Sequence, residues 1–358
     1  MRRTSSVNLD TKAAVEAKPQ EPKSRARLVS LDAFRGLSII LMLLVNNFGS
    51  TAPVQLKHAA WGEHIHIADM AFPWFLLCVG VAIPFSAASF ARKGLPYWKY
   101  DLRVFRRTLL LILIGAILDS TFERGIVLFS IGVLQTIAIS YMISALIYDL
   151  ATYRRIAIAT LGLVTYWAAI KYLPIPGVGT GFFEEHRNFI FHLNRTYFGE
   201  VGLWNLPRIV PTTALVLIGT AIGDMIRKET GGEARRSLWL MGAGIVLVAG
   251  GVLWGRSLGF NKWIWTPSFI LFSGGTGTFV LGLLHLVIDA EGWSRWSHPL
   301  VVFGANAILA YVVPIMAKAT ILGPLHIRIG GWMSVTLFII FWWLILWVLY
   351  RKRIFLRV

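Results

Sequence analysis

Apolar stretches of membrane length recur along the chain, separated by short polar ones. Residues 28–48 are almost wholly apolar, and about 20 apolar positions suffice to cross a hydrocarbon core of roughly 30 Å. A second apolar segment starts near Asp69 and contains Pro73 and Pro84, each predicted to kink it by removing a backbone donor. Others follow at about 102–121, 126–150, from Arg155 to about 172, 208–226, 237–254, 267–288, 300–321 and 332–350. The pattern predicts an all-α fold: a polytopic membrane helix bundle of about ten transmembrane helices over residues 28–350. No internal repeat is visible. One polar excursion, 174–207, is longer than an ordinary connection and is a candidate lid or binding loop. Residues 1–27 are polar and lack the apolar core of a cleavable signal peptide, so they read as a disordered cytoplasmic tail. Residues 351–358 read as a basic cytoplasmic C-terminus.

Composition places the chain in the membrane class, with 56% hydrophobic residues, only 15% charged and a mean hydropathy of +0.63. A net charge of +17 would suggest a nucleic-acid partner in a soluble protein. Here the placement of the charge changes that reading. With ten helices, 25 of the 35 Lys and Arg residues fall on the side of the termini and 10 on the other. Basic residues mark the cytoplasmic face, so both termini are expected in the cytoplasm, with no nucleic-acid partner and the lipid bilayer as the environment. Cys78 is the lone cysteine, which excludes an intramolecular disulfide and a cysteine-based zinc site.

The candidate chemistry gathers between the first two helices, where the chain reads VNNFGSTAPVQLKHAAWGEHIHIADMAFPWF from Val45 to Phe75. His58, His64, His66 and Asp69 lie within this stretch, and the basic-residue bias puts it on the outer face. His58 is followed by Ala59, Ala60 and Trp61, a setting for a desolvated imidazole that moves a proton. His64 and His66 lack further ligands in the pattern, so no metal is expected. Asn46 and Asn47, at the end of the first helix, read from spacing alone as caps of backbone groups more than as functional amides. Polar residues inside apolar helices tend to face the bundle interior, which adds Asp69, Gln135, Asp224, Asp289, Asn306 and Lys318. Gln135 and Asn306 lie deepest; Asp224, Asp289 and Lys318, near helix ends, suit helix–helix bonds or snorkelling. Asp32 and Arg35, at i and i+3, share a helix face. The run Ser273 to Gly277 lacks a P-loop ending and suits helix packing.

Several stretches together resemble the heparan-alpha-glucosaminide N-acetyltransferase family. They are Leu31-Asp32-Ala33-Phe34-Arg35-Gly36-Leu37, Leu44-Val45-Asn46, Lys57-His58-Ala59-Ala60-Trp61 and Ala68-Asp69-Met70-Ala71-Phe72-Pro73-Trp74-Phe75. Gly132-Val133-Leu134-Gln135, the run from Asn261 to Phe269 and Phe303-Gly304-Ala305-Asn306-Ala307 are similar to later family motifs, so the likeness covers about residues 28–350. The resemblance implies a multispanning acyltransferase that takes acetyl from acetyl-CoA and passes it to an amino or hydroxyl group of a sugar or glycan. It assigns the active-site histidine to His58 as base or acyl carrier, and the adjacent asparagine to Asn46, with Asn47 the neighbouring alternative. Asp69 would orient an imidazole. Asp32, Arg35, Asn47, Trp61, Gln135 and Asn306 are the accompanying candidates for acyl-CoA or acceptor binding. Acetyl-CoA is then the donor substrate, with no metal, and a homo-oligomer is compatible. The expected setting is a bacterial cytoplasmic (inner) membrane. Two other classes fit the same helices: a multispanning transporter, and a non-catalytic scaffold of envelope assembly.

Overall fold

Apolar helices in a bilayer gain nothing from hiding oil from oil, so they associate through close backbone approach and buried polar bonds. The computed structural model, which describes residues 28–49, 52–123, 130–199, 201–228, 230–327 and 329–356, is built on both devices. The expected tail, 1–27, lies outside the described residues. In chain order the helices are α1 (Val29–Phe48), α2 (Ala71–Ala91), α3 (Tyr97–Glu123), α4 (Val133–Leu146), α5 (Thr152–Tyr172), the short α6 (Phe189–Leu193), α7 (Ile209–Lys228), α8 (Glu233–Gly255), α9 (Pro267–His285), α10 (His298–Ala305), α11 (Ala307–Ala317) and α12 (Trp332–Arg351). No strand is present among the described residues. The expected all-α class is thus observed.

α1 and α10 approach backbone to backbone. A Cβ on Gly36 would lie 1.8 Å from the Leu300 carbonyl oxygen, and one on Gly304 would lie 1.9 Å from that of Asp32. Only hydrogen fits at either site. The Ser273 to Gly277 run likewise packs α9 on α8, since a Cβ at Gly275 would meet the Val248 nitrogen at 2.6 Å.

Buried polar bonds mark the two ends of the bundle. At the end carrying the termini, Arg155, 2% exposed, pairs with Asp224, which also accepts from Tyr148 and Thr152 at 2.8 Å each, so α5 and α7 are tied to the α4–α5 loop. The Ser30 amide donates to Asp289 at 3.2 Å, linking the start of α1 to the end of the α9 segment. At the opposite end the connecting segments fold over the helices. Trp61 donates from Nε1 to the Phe183 carbonyl at 3.3 Å, and Tyr166 donates to the Ile264 carbonyl at 2.7 Å. The His58 segment and the 174–207 excursion therefore touch.

Two details depart from the sequence expectation, and the helix count is not confirmed. By length and composition, six helices among the described residues are long and apolar enough to cross a membrane, or seven if one bent pair is a single span. The count of about ten is not reproduced by that measure. α4 has 14 residues, about 21 Å at 1.5 Å per residue, and α3 opens on a strongly basic half. The expected helix over 300–321 is broken at Asn306 with a 69° bend. Asn306 leaves helical geometry at φ −120°, ψ 47°, and its amide is engaged by the distant C-terminal segment. Pro73 lies in the first turn of α2, where a missing donor costs nothing, so it does not kink the helix; only Pro84 is internal.

Candidate active site

A 3-10 turn, Ile67–Met70, leads into α2 and carries Asp69 inward, where its side chain is 1% exposed. A carboxylate so placed must be paired. Oδ1 accepts from Lys262 Nζ at 2.8 Å and faces His58 Nδ1 at 3.1 Å. Oδ2 accepts from the His66 amide at 3.0 Å and from the Ala59 amide at 3.4 Å. One carboxylate thus joins three separate pieces of chain: the His58 segment, the mouth of α2 and the 256–266 connection. Trp263 closes the arrangement by donating from Nε1 to the Ala59 carbonyl at 3.1 Å. Lys262 itself is largely covered, with its ammonium 4.6 Å from the Trp263 ring centre. Burial pulls the Lys262 ammonium below the usual lysine range, although the Asp69 carboxylate opposes the shift.

Because an ionised carboxylate only accepts, the contact with Asp69 places the His58 proton on Nδ1 and leaves the lone pair on Nε2. The imidazole is half exposed and forms part of the wall of a cavity of ≈ 370 Å³, together with Asn46, Asp69, Arg208, Lys262 and Trp265. A larger cavity, ≈ 770 Å³, shares Asn46, Val133 and Tyr311 with the first. A narrow apolar gap of ≈ 30 Å³ borders both through Val133 and Tyr311 and reaches Arg107 of α3, whose guanidinium lies 4.4 Å from the Tyr141 ring centre. A base and an amide therefore stand on one cavity wall. A general base needs a free lone pair beside room for its substrate, and His58 has both.

Of the residues singled out in the sequence, His58, Asp69 and Asn46 come together here. Asn46 lines both cavities, and its carbonyl accepts from Lys318 Nζ at 2.9 Å. Asn47 is buried beside it, with Nδ2 donating to the Leu43 carbonyl at 2.7 Å. Gln135 lines the larger cavity and donates to Asp119 at 2.8 Å. Trp61 lies at the end of the bundle in contact with Phe183. Asp32 and Arg35 are elsewhere, paired at 3.1 Å, with Arg35 also reaching the Gly304 carbonyl at 3.4 Å. Asn306 is not in either cavity: Nδ2 donates to the Ile354 carbonyl and Oδ1 accepts from the Leu356 amide, both at 3.0 Å. His64 is exposed, and His66 Nδ1 faces the Lys57 carbonyl at 3.0 Å. Among the described residues no group of three or more His, Cys, Asp or Glu could hold a metal ion.

Lys262, Arg208, Trp265 and Tyr311 were missed as site residues in the sequence. Lys262 and Trp265 sit within the Asn261 to Phe269 run, whose mixture of Asn, Lys and Trp ahead of an apolar helix was the available signal. Nothing in the pattern near Tyr311 or Arg208 distinguishes them from ordinary helix residues.

The sequence profile of the family described as "Heparan-alpha-glucosaminide N-acetyltransferase, catalytic" matches residues 27–251. Among curated proteins, heparan-alpha-glucosaminide N-acetyltransferase of Mus musculus is 24% identical over 424 aligned residues, covering 96% of this chain and 63% of the relative. That of Homo sapiens is 25% identical over 405 residues, covering 93% of this chain and 60% of the relative. The chain thus spans about three fifths of the length of these relatives. The stretch matched by the profile begins two residues before α1, ends within α8 and includes His58, Asp69 and Asn46, and on that extent the chain belongs to the heparan-alpha-glucosaminide N-acetyltransferase family.

Proposed function

We propose that this chain is a membrane acyltransferase that moves an acetyl group from acetyl-CoA, taken up at the end of the bundle that carries the termini, to an amino or hydroxyl group of a sugar or glycan at the His58 end. The observation that carries this reading is the buried Asp69 carboxylate facing His58 Nδ1 on the wall of a cavity. In the proposed reaction His58 Nε2 takes a proton from the acceptor as its nitrogen or oxygen attacks the thioester carbonyl. The resulting imidazolium is stabilised by Asp69, in the way a buried carboxylate supports the histidine of a hydrolase triad. Collapse of the tetrahedral intermediate breaks the C–S bond, and the proton passes from His58 to the departing CoA thiolate. Asn46, on the same wall, donates a hydrogen bond to the intermediate's oxyanion, a role worth about 3–4 kcal/mol per donor. Lys262 neutralises the second charge demand on Asp69 and holds it in place.

The donor's flexible pantetheine arm would reach His58 along the line of the apolar gap that ends at Arg107, which at ≈ 30 Å³ has to widen to admit it. The nucleotide end would remain with the basic groups of the termini side, Arg35, Arg103, Arg106 and Arg107. The apolar side chains that line this gap would also keep water from the thioester. Ten crossings, with both termini in the cytoplasm of a bacterial cell and the acceptor outside, complete the proposal, supported by the 25 to 10 division of basic residues. The test uses right-side-out proteoliposomes with acetyl-CoA sealed inside and an impermeant amino sugar supplied outside. N-acetylated sugar should form outside. Product that forms only when donor and acceptor share one compartment would overturn transfer across the membrane, and no product in either arrangement would overturn the activity.

A further inference from the structure

Arg208 brings to the His58 cavity a positive charge that no other group of the wall answers. It lines that cavity with His58, Asp69 and Lys262 and is only partly exposed. Its backbone is bonded, the amide to the Asn205 carbonyl at 3.0 Å and the carbonyl to the Thr212 hydroxyl at 2.8 Å. Among the described residues its guanidinium makes no hydrogen bond and no ion pair. The wall carries one carboxylate, Asp69, and this is already taken by Lys262, His58 and two backbone amides. Asp119, in the neighbouring cavity, is engaged by Ser130 and Gln135. With Lys262 and Arg208 charged and His58 neutral, the wall is left with one positive charge in excess. The guanidinium nitrogens are not among the sealed, unbonded side-chain atoms, as Asn47 Oδ1 and Gln135 Oε1 are, so a ligand in the cavity can reach them.

The excursion 174–207 fixes the backbone that presents this residue. Asn205, at φ 76°, turns the chain into the 3-10 segment Leu206–Arg208, and its amide donates to Asn194 Oδ1 at 3.0 Å. Arg208 thereby stands at the N-terminal, positive end of α7, where a cation is disfavoured unless an anion shares the place. A charge partly withdrawn from water and left unpaired is costly and calls for a partner. The planar fork of an arginine matches a carboxylate or a phosphate, which it holds through two parallel hydrogen bonds. In the proposed reaction the donor brings no such group here: its thioester and pantetheine arm are uncharged, and its phosphates stay at the far end of the arm. The anion therefore has to arrive with the acceptor. A cavity of ≈ 370 Å³ is in the range of small-ligand sites, so the ring at His58 and a substituent at Arg208 can belong to one sugar.

We infer that Arg208 determines acceptor specificity by pairing with a carboxylate or phosphate carried on the same sugar ring that presents its amino or hydroxyl group to His58. The inference deepens the proposed acyltransferase reading and rests on it for what lies at His58. Arg208 acts here in binding and takes no part in proton transfer.

The test compares glucosamine with two anionic forms of it, glucosamine 6-phosphate and the corresponding aminouronic acid, which separate phosphate from carboxylate. Binding is measured calorimetrically on the purified full chain in detergent, without donor, and acetyl transfer to each sugar is measured in parallel. The wild type should bind at least one anionic sugar about 10-fold or more tighter than glucosamine, the scale of one hydrogen bond between charged groups. Arg208→Gln should abolish that advantage. Arg208→Lys, which keeps the charge without the fork, should retain part of it and covers the case in which Arg208→Gln fails to fold. Equal binding of all three sugars by the wild type overturns the inference. So does an anionic advantage that survives in Arg208→Gln, whether that variant is otherwise normal, binds acetyl-CoA less well or loses kcat on every sugar alike. An Arg208-dependent preference for an anionic sugar, in a protein that transfers no acetyl, would sink the proposed reaction and leave the anion site standing.

Discussion

Replacing Asp69 by Asn tests the catalytic reading with the least change in shape. The carboxylate faces His58 Nδ1 at 3.1 Å and accepts from Lys262 at 2.8 Å on one oxygen, and takes two backbone amides on the other. An asparagine has one acceptor oxygen and one NH2 group for four donors. If the oxygen stays with the backbone amides, the NH2 faces His58 and Lys262. The NH2 group then donates to His58 Nδ1, the proton moves to Nε2, and the base is lost. The comparable exchange in a hydrolase triad costs about 10⁴ in kcat, so a fall on the order of 10³–10⁴ is expected, with KM for both substrates changed far less. Lys262 is also left largely buried opposite a neutral amide. Breaking one side of a fully buried pair costs about 3–5 kcal/mol, and the partial exposure of Lys262, 13% for its side chain, puts this case at about 3 kcal/mol or less. The assay is transfer from labelled acetyl-CoA to glucosamine in detergent, with thermal unfolding of the same preparation to separate lost activity from lost protein. An Asp69→Asn variant that stays folded and keeps kcat within tenfold of wild type would refute the base assignment.

Three further outcomes are expected. His58→Ala should abolish transfer while acetyl-CoA binding persists, whereas His64→Ala, at an exposed side chain, should be close to neutral and His66→Ala should lower stability by about 1 kcal/mol, the worth of one hydrogen bond, with kcat kept within a few fold; equal loss in all three would contradict the special role of His58. Burial disfavours the charged form of Lys262, so its proton is lost at a lower pH than from a free lysine. The alkaline limb of the pH–kcat profile should therefore begin below the ordinary lysine range, and Lys262→Arg, which stays charged throughout, should move it upward; superimposable alkaline limbs would count against the Lys262–Asp69 pairing. Arg155→Leu strips Asp224 of its most buried partner and should lower stability by about 3 kcal/mol, read as a shift in thermal unfolding, with acetyl-CoA binding at the folded temperature unchanged.

The periodic alternation of apolar and polar stretches sufficed for the all-α class and for helix positions close to those observed: residues 28–48 against α1, 332–350 against α12. Hydrophobic length is a one-dimensional property, so it is written in the sequence. That Asp69 would orient an imidazole was legible through the family resemblance; that the imidazole is His58's, 11 residues away, was decided by the folded segment. Contacts that join distant segments were not legible. Lys262 reaches Asp69, and Trp263 reaches Ala59 across a separation of 204 residues; no local pattern specifies which connection lands on which helix mouth. Asn306 looked like an intramembrane polar residue with a site to serve; the tertiary structure gives its amide to the C-terminal backbone and breaks the helix there. The break could not be read from apolarity, since hydropathy is insensitive to a bend. Cavities belong to the same category: Asn46, Val133 and Tyr311 border one another only because α1, α4 and α11 converge. The sequence by itself determined which segments are apolar enough to be helices and which polar groups could react. Tertiary packing decided which of those groups face one another, because a buried charge or amide must find its partner wherever the chain brings one within reach.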